Sequence, residues 1–168
     1  MTDYCLDTSG ISNPWEALPG DIYEGLWDRV QNLIRDGVFC CTPEIYDEML
    51  AIKGTLGSCV KDHGHCLIRE IGNGDWNWEA YLEHAERMRV DHKSVISEYN
   101  GNRKGTVGLN DISIIALAKT LALPVISMEK ANVFQPSANK RRIPDVCSLE
   151  KVQHMDFNDL LRSKGIKI

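Results

Sequence analysis

The sequence lacks any apolar run approaching the roughly 18 residues a membrane-spanning helix requires. Its opening, Met1-Thr2-Asp3, lacks the basic-then-apolar organisation of a secretory signal. A cytoplasmic protein with no membrane partner is therefore the expectation. Internal repeats, low-complexity tracts and linker-like stretches are also missing, so a single domain over 1–168 is expected. Basic surplus is absent too: 19 Lys and Arg stand against 24 Asp and Glu, a formal charge of −5. Phosphate contacts come from Lys and Arg, so this balance disfavours nucleic acid at first sight. Assigning four of the acids to a metal site, however, would leave the remaining surface nearly neutral, and a local basic patch could still guide a polyanion. Six cysteines are present, at 5, 40, 41, 59, 66 and 147. The chain is neither short nor visibly secreted, so they read as reduced thiols rather than a disulfide framework. Cys5, Cys40, Cys41 and Cys147 lie in apolar, strand-like segments, where a thiol acts as a small buried hydrophobe.

What is present suits a folded core. At 168 residues, 43% hydrophobic and 26% charged, the chain has the composition of a globular domain. Tyr4-Cys5-Leu6 is a β-prone run ending at the turn formers Asp7-Thr8-Ser9-Gly10. A loop containing Pro14 and Pro19 follows. From about Asp21 to Arg35, Ile22, Leu26, Val30 and Leu33 recur at helical spacing and Gly37 supplies a stop. Val38-Phe39-Cys40-Cys41 reads as a second buried strand. It runs into Thr42-Pro43-Glu44, which combines an N-cap, a first-turn proline and an acidic first turn.

The glycine-rich stretch from Lys53 to Asp75 reads as loop with a short helix, and Trp76 to about Tyr99 as helix. Asp111 to Leu123 is a mostly apolar helix, Leu123 to Ser127 a buried strand, and Ile143 to Cys147 a further strand-like piece. A last helix is expected near Asp156 to Lys164, stopped by Gly165. Continuous apolar strands separated by helices are the pattern of a parallel sheet covered on both faces. The fold class is α/β: a three-layer α/β/α sandwich around a mainly parallel sheet, with a helical insertion around 53–105.

In such sheets ligands bind in the crevice at the carboxyl ends of the strands. Asp7 closes the first strand, Glu44 and Glu48 follow the second, Asp111 opens the helix before the 123–127 strand, and Glu129 lies just beyond it. Carboxylates gathered this closely repel one another unless cations neutralise them, and Mg²⁺ or Mn²⁺ is the natural partner for oxygen donors. Taken singly, each acid has an ordinary explanation. Asp7 suits an Asx-turn, Glu48 a solvated helix face, Asp111 a first-turn acid behind an Asn110 cap, and Glu129 a surface position. The joint placement at strand ends carries the metal reading.

These motifs, in this order, resemble the PIN-domain nucleases, the superfamily of the VapC-type toxins. Tyr4 to Ser9 resembles the first acidic motif, with Thr8 and Ser9 after Asp7. Thr42 and Glu48 match a small hydroxyl residue followed six positions later by the second acid. Gly108-Leu109-Asn110-Asp111 with Ile115-Ala116-Leu117-Ala118 resembles the third motif. Pro124 to Glu129 resembles the fourth, where Ser127 precedes an acid that is commonly Asp in the family and is Glu129 here. Ile143-Pro144-Asp145-Val146-Cys147 resembles a PIN-like subgroup of uncharacterised bacterial proteins. The resemblance implies a PIN-like fold and a divalent-metal-dependent endoribonuclease, the toxin of a toxin–antitoxin pair. Asp7, Glu48, Asp111 and Glu129 would be its metal and catalytic residues, and Thr8, Ser9 and Ser127 supporting hydroxyls. Expected partners are an RNA substrate and an antitoxin protein, with self-association left open. The alternative is a catalytically inactive PIN-like module that binds RNA or protein.

Other clusters compete. Cys59, His63, His65 and Cys66 invite a zinc reading but are crowded for one tetrahedral ion, so an incidental polar loop is preferred. Asn139-Lys140-Arg141-Arg142 and Asn102-Arg103-Lys104 are solvated loops or phosphate contacts. Trp76 and Trp78 are packing aromatics before they are base-stacking platforms. A phosphoacceptor signalling domain would also gather acids at strand ends, but it would need a lysine near the end of the last strand, and 143–147 offers none.

Overall fold

The computed structural model describes residues 1–132 and 140–168. It is an α/β fold on a four-stranded parallel sheet of order β2-β1-β3-β4. In chain order the elements begin with β1 (Tyr4–Leu6), α1 (Ser9–Ala17), α2 (Glu24–Arg35), β2 (Phe39–Cys40), α3 (Pro43–Met49), α4 (Gly54–Asp62), α5 (Gly64–Leu67) and α6 (Trp78–Asp91). Two 3-10 turns at Lys93–Val95 and Ser97–Tyr99 lead to α7 (Leu109–Leu121), β3 (Val125–Ile126), α8 (Ile143–Glu150), β4 (His154–Met155) and α9 (Phe157–Ser163).

The register sets Cys5 opposite both Cys40 and Val125, Leu6 opposite Ile126, and Val125 opposite His154. From β1 the chain moves one way to β2, then passes back over β1 to β3 and on to β4. Right-handed crossovers in opposite directions lay their helices on opposite faces of the sheet. The α1–α2 connection therefore covers one face, and α7 with α8 the other. Between the carboxyl ends of β1 and β3 the loops leave in opposite directions, which opens a crevice at this switch point. Every residue of β1, β2 and β3 is buried, as continuous apolar strands under two helical layers should be. α7 is nearly apolar all round, and Ile112 and Ile114 to Ala118 are buried, because α6 covers its outer side as the sheet covers its inner one.

Local signals explain most elements. Thr42 caps α3 by accepting the Ile45 N–H, with Pro43 in the first turn. Asp156 caps α9 by accepting from Asp159 N at 2.8 Å. Three expectations are corrected. The stretch after Ser9 is the helix α1 rather than a loop: Pro14 lies inside it, at a cost of about 3 kcal/mol in an isolated helix. Packing offsets this, because Gly10 sits so close to β3 that a Cβ would stand 2.6 Å from the Ile126 carbonyl oxygen. Ile143 to Cys147 is the start of helix α8, not a strand, since Asp145 accepts the Arg142 N–H at 2.9 Å in capping-box fashion. The edge strand is instead the short His154–Met155 pair, half-buried and without an apolar signature. The 53–105 region is helical as expected, but as α4, α5 and a shorter α6 followed by 3-10 turns. Among the described residues no helix is long and apolar enough to cross a membrane.

Candidate functional site

Four acids, two in the loops after β1 and β3 and two on α3 and α7, lie around the β1–β3 switch point. Asp7 follows β1 and is 4% exposed. Its Oδ2 accepts the Ser9 hydroxyl at 2.6 Å and the Ser9 N–H at 3.2 Å, so it makes the Asx-turn its sequence suggested. Ser9 Oγ in turn accepts the Met128 N–H at 3.1 Å, tying the loops after β1 and β3 together. Glu48, exposed on α3, is held from two sides: Thr8 Oγ1 donates to Oε2 at 2.9 Å and Asn110 Nδ2 to Oε1 at 2.7 Å. Asp111, in the first turn of α7, accepts the Gly108 N–H at 2.7 Å. Glu129, beyond β3, accepts the Ile143 N–H at 2.9 Å, at the N-terminus of α8, where a carboxylate is favourably placed.

The electrostatics reflect their proximity. Burial pushes Asp7 up to about 6; the Ser9 hydrogen bonds pull against this, and the charges of Glu129 and Glu48 add to it. Burial likewise pushes Asp111 up to about 8, countered by the Gly108 N–H and reinforced by Asp7, Glu129 and Glu48. No lysine or arginine side chain bonds to any of the four among the described residues. Cys147, buried on α8 beneath them, is pushed up to about 12 by burial and by the nearby Asp7 and Glu129 charges.

Glu44, one turn before Glu48, lies towards Tyr81 and Cys41, whose pKa values its charge helps to raise. Thr42 bonds to Ser113 Oγ at 2.9 Å, and Ser113 donates to the Asn110 carbonyl at 2.6 Å. Thr42 thus joins α3 to the head of α7 without touching an acid. Ser127 is fully buried and bonds to His154 Nε2 at 2.6 Å, away from the crevice. Of the supporting hydroxyls, Thr8 and Ser9 reach the carboxylates.

Two contributors were not singled out from the sequence. Asn110, suited by its sequence position to a cap, instead orients Glu48, and the N-cap position of α7 is Gly108. Glu98, on the second 3-10 turn, accepts the Leu109 N–H at 2.6 Å and adds a fifth carboxylate beside Asp111. A Cβ on Gly108 would lie 3.3 Å from Glu98 and 3.6 Å from Asp111. No periodicity marks Glu98; only the isolated parallel bridge of Ile96 with Val107 brings its turn to α7.

Among the described residues no group of three or more His, Cys, Asp or Glu is drawn together closely enough to hold a metal ion. This covers Cys59, His63, His65 and Cys66. The His63 Nδ1 instead bonds the Cys59 carbonyl at 2.8 Å, and the Cys59 thiol points to the Gln31 carbonyl. The crevice acids do match hard divalent cations in kind: all are oxygen donors, two carry raised pKa values, and among the described residues no lysine or arginine pairs with them.

Basic residues border the crevice. Lys140 lies against Gly105, bringing the runs at 102–104 and 140–142 together just before the first turns of α7 and α8. Asn139 lies outside the described residues. Trp76 packs on Tyr81 with ring centroids 5.6 Å apart, and its indole N–H is bonded to the carbonyls of Glu70 and Asn73.

In comparisons with known proteins, residues 4–168 match the family described as "Domain of unknown function (DUF4411)". No curated protein matches the chain.

Proposed function

This chain belongs to the DUF4411 family, and we propose that it is a divalent-metal-dependent endoribonuclease working at the β1–β3 crevice. One observation carries the reading: Asp7, Glu48, Asp111 and Glu129 gather at a topological switch point, and two of them are raised by burial and mutual repulsion with no lysine or arginine bonded to them among the described residues. A partly buried anionic cluster of this kind is unfavourable without a cation and suits one that carries chemistry.

Asp7, Asp111, Glu48 and Glu129 would hold Mg²⁺ or Mn²⁺. When bound, such ions make water a nucleophile at neutral pH and offset charge on a phosphodiester. The chain's own groups do the positioning. Ser9 orients Asp7, Thr8 and Asn110 hold Glu48 from both sides, and the α7 N-terminus orients Asp111 through the Gly108 N–H. Arg103, Lys104, Lys140, Arg141 and Arg142 would engage phosphates flanking the scissile bond as register-setting contacts. Restraint by an antitoxin protein rests on the PIN-domain resemblance.

Asp7→Asn and Asp111→Asn, assayed separately on structured RNA with Mn²⁺, are expected to lose on the order of a thousandfold in cleavage rate, about 4 kcal/mol of barrier. Unchanged cutting by both variants would sink the assignment. The absence of a closed metal cage among the described residues favours a second reading, an RNA- or protein-binding module. Wild-type protein that binds RNA yet leaves it intact in Mg²⁺ and Mn²⁺ alike would select it.

A further inference from the structure

α1, α2, the connection between them and the start of α4 line a groove of about 700 Å³ that includes none of the crevice acids. Its floor is aromatic. Trp15 of α1 stands edge-on to Trp27 of α2 at 4.9 Å, and the buried Trp27 is anchored by its indole N–H to the Leu18 carbonyl at 2.6 Å and by stacking on Phe157. Gly20 and Gly54 lie against the Trp15 indole: a Cβ on Gly20 would overlap the ring, and one on Gly54 would stand 3.0 Å from it. The benzo end of the ring thus abuts both glycines, and the side chain stays half-buried.

Around this floor stand Glu16, Asp21, Glu24 and Asp28, all exposed, and among the described residues no lysine or arginine lines the groove. Among the described residues none of these four carboxylates takes part in an ion pair. The charge calls for a cationic occupant, and the spacing calls for a polymer. Glu24 and Asp28 are a turn apart on α2, about 6 Å between neighbouring side chains. Glu16 comes from α1 and Asp21 from the connection between the helices. One small cation cannot reach all four; a peptide carrying several Lys or Arg residues can, and a guanidinium stacks favourably on an indole face.

We propose that this groove docks a cationic peptide segment of a partner protein, whose Arg and Lys side chains pair with Glu16, Asp21, Glu24 and Asp28 while one stacks on Trp15. The proposal stands apart from the chemistry of the crevice. It is tested on the full chain by calorimetric titration with a synthetic peptide of about twelve residues carrying about five arginines, beside a counterpart with glutamate at those positions. The arginine peptide is expected to bind and to change tryptophan fluorescence, and the glutamate peptide to do neither. Glu24→Lys with Asp28→Lys should weaken binding at least about tenfold, whereas Glu83→Lys with Glu86→Lys on α6, an equal change of net charge, should alter it less than about twofold. If the reversed pair fails to fold, Glu24→Gln with Asp28→Asn carries the same test, with an expected loss of about threefold or more. Absent binding by wild type, equal losses in the groove and α6 variants, or full displacement of the peptide by tetramethylammonium would each overturn the proposal.

Discussion

Asp111 and Glu150 are carboxylates near opposite ends of two packed helices, and the fold treats them in opposite ways. Glu150, at the end of α8, is 6% exposed and surrounded by cations. Arg87 grips both its oxygens at 3.0 and 2.7 Å, His92 Nε2 bonds it at 2.7 Å, and Lys119 lies 3.3 Å away. The Arg87 hydrogen bond, more than enough to counter burial, and those of His92 and Lys119 hold Glu150 down at about 2. Asp111 is half-buried among acids and is pushed the other way, to about 8. A buried acid supplied with cations by its own chain is a structural joint, here locking α6 to α7 and α8. A half-buried acid left among other acids is a place where the fold leaves charge for something else to neutralise. His92 shows the cost on the structural side, since its Nδ1 is buried without a hydrogen-bond partner among the described residues.

The largest effect expected from breaking this contrast lies at the joint. Glu150→Gln leaves Arg87, His92 and Lys119 without their anion and should lose about 3 kcal/mol of stability at pH 7, measured by urea unfolding. A variant as stable as wild type would make the joint ornamental. Next comes the added cation. Mn²⁺ at about a hundredfold its dissociation constant should stabilise the wild type by about 2.7 kcal/mol, and Glu150→Gln by the same increment. Asp7→Asn and Asp111→Asn should lose most of it, and equal stabilisation of all four proteins would detach the metal from the crevice.

The smallest effect is the sharpest in sign. Asp7 and Asp111 have folded-state pKa values raised to about 6 and about 8. Their contribution to stability is therefore greatest below the ordinary carboxylate range and is lost as pH rises through those values. Metal-free protein should gain stability between pH 8 and pH 5, and Asp111→Asn should be about 1–2 kcal/mol more stable than wild type at pH 8 while flattening that dependence. Glu150, with its pKa lowered, works in reverse: its contribution is complete above about 5 and fades towards about 2. A metal-free pH profile that is flat from 5 to 8 would remove the distinction between the two acids.

Local structure was largely legible in the residues. The Tyr4–Leu6 strand, the Thr42-Pro43 start of α3 and the Asp156 start of α9 all follow from signals within a few residues of one another. Of the departures from the local pattern, two come from distant contacts and one from a cap between near neighbours. Pro14 sits in a helix because Gly10 lets α1 press against β3, and Ile143 to Cys147, apolar enough for a strand, is helical because Asp145 caps it. His154–Met155 becomes a strand only through pairing with Val125–Ile126.

The candidate site divides in the same way. That Asp7, Glu48, Asp111 and Glu129 follow strands or open helices could be read from order and spacing, because turns and caps are built from neighbours in the chain. That Glu48 rather than Glu44 faces Asp7, that Asn110 holds it, that Glu98 joins them, and that Glu150 is neutralised while Asp111 is not, was decided by tertiary structure alone. Charge compensation depends on distance through space and on the removal of water, and neither is written along the chain.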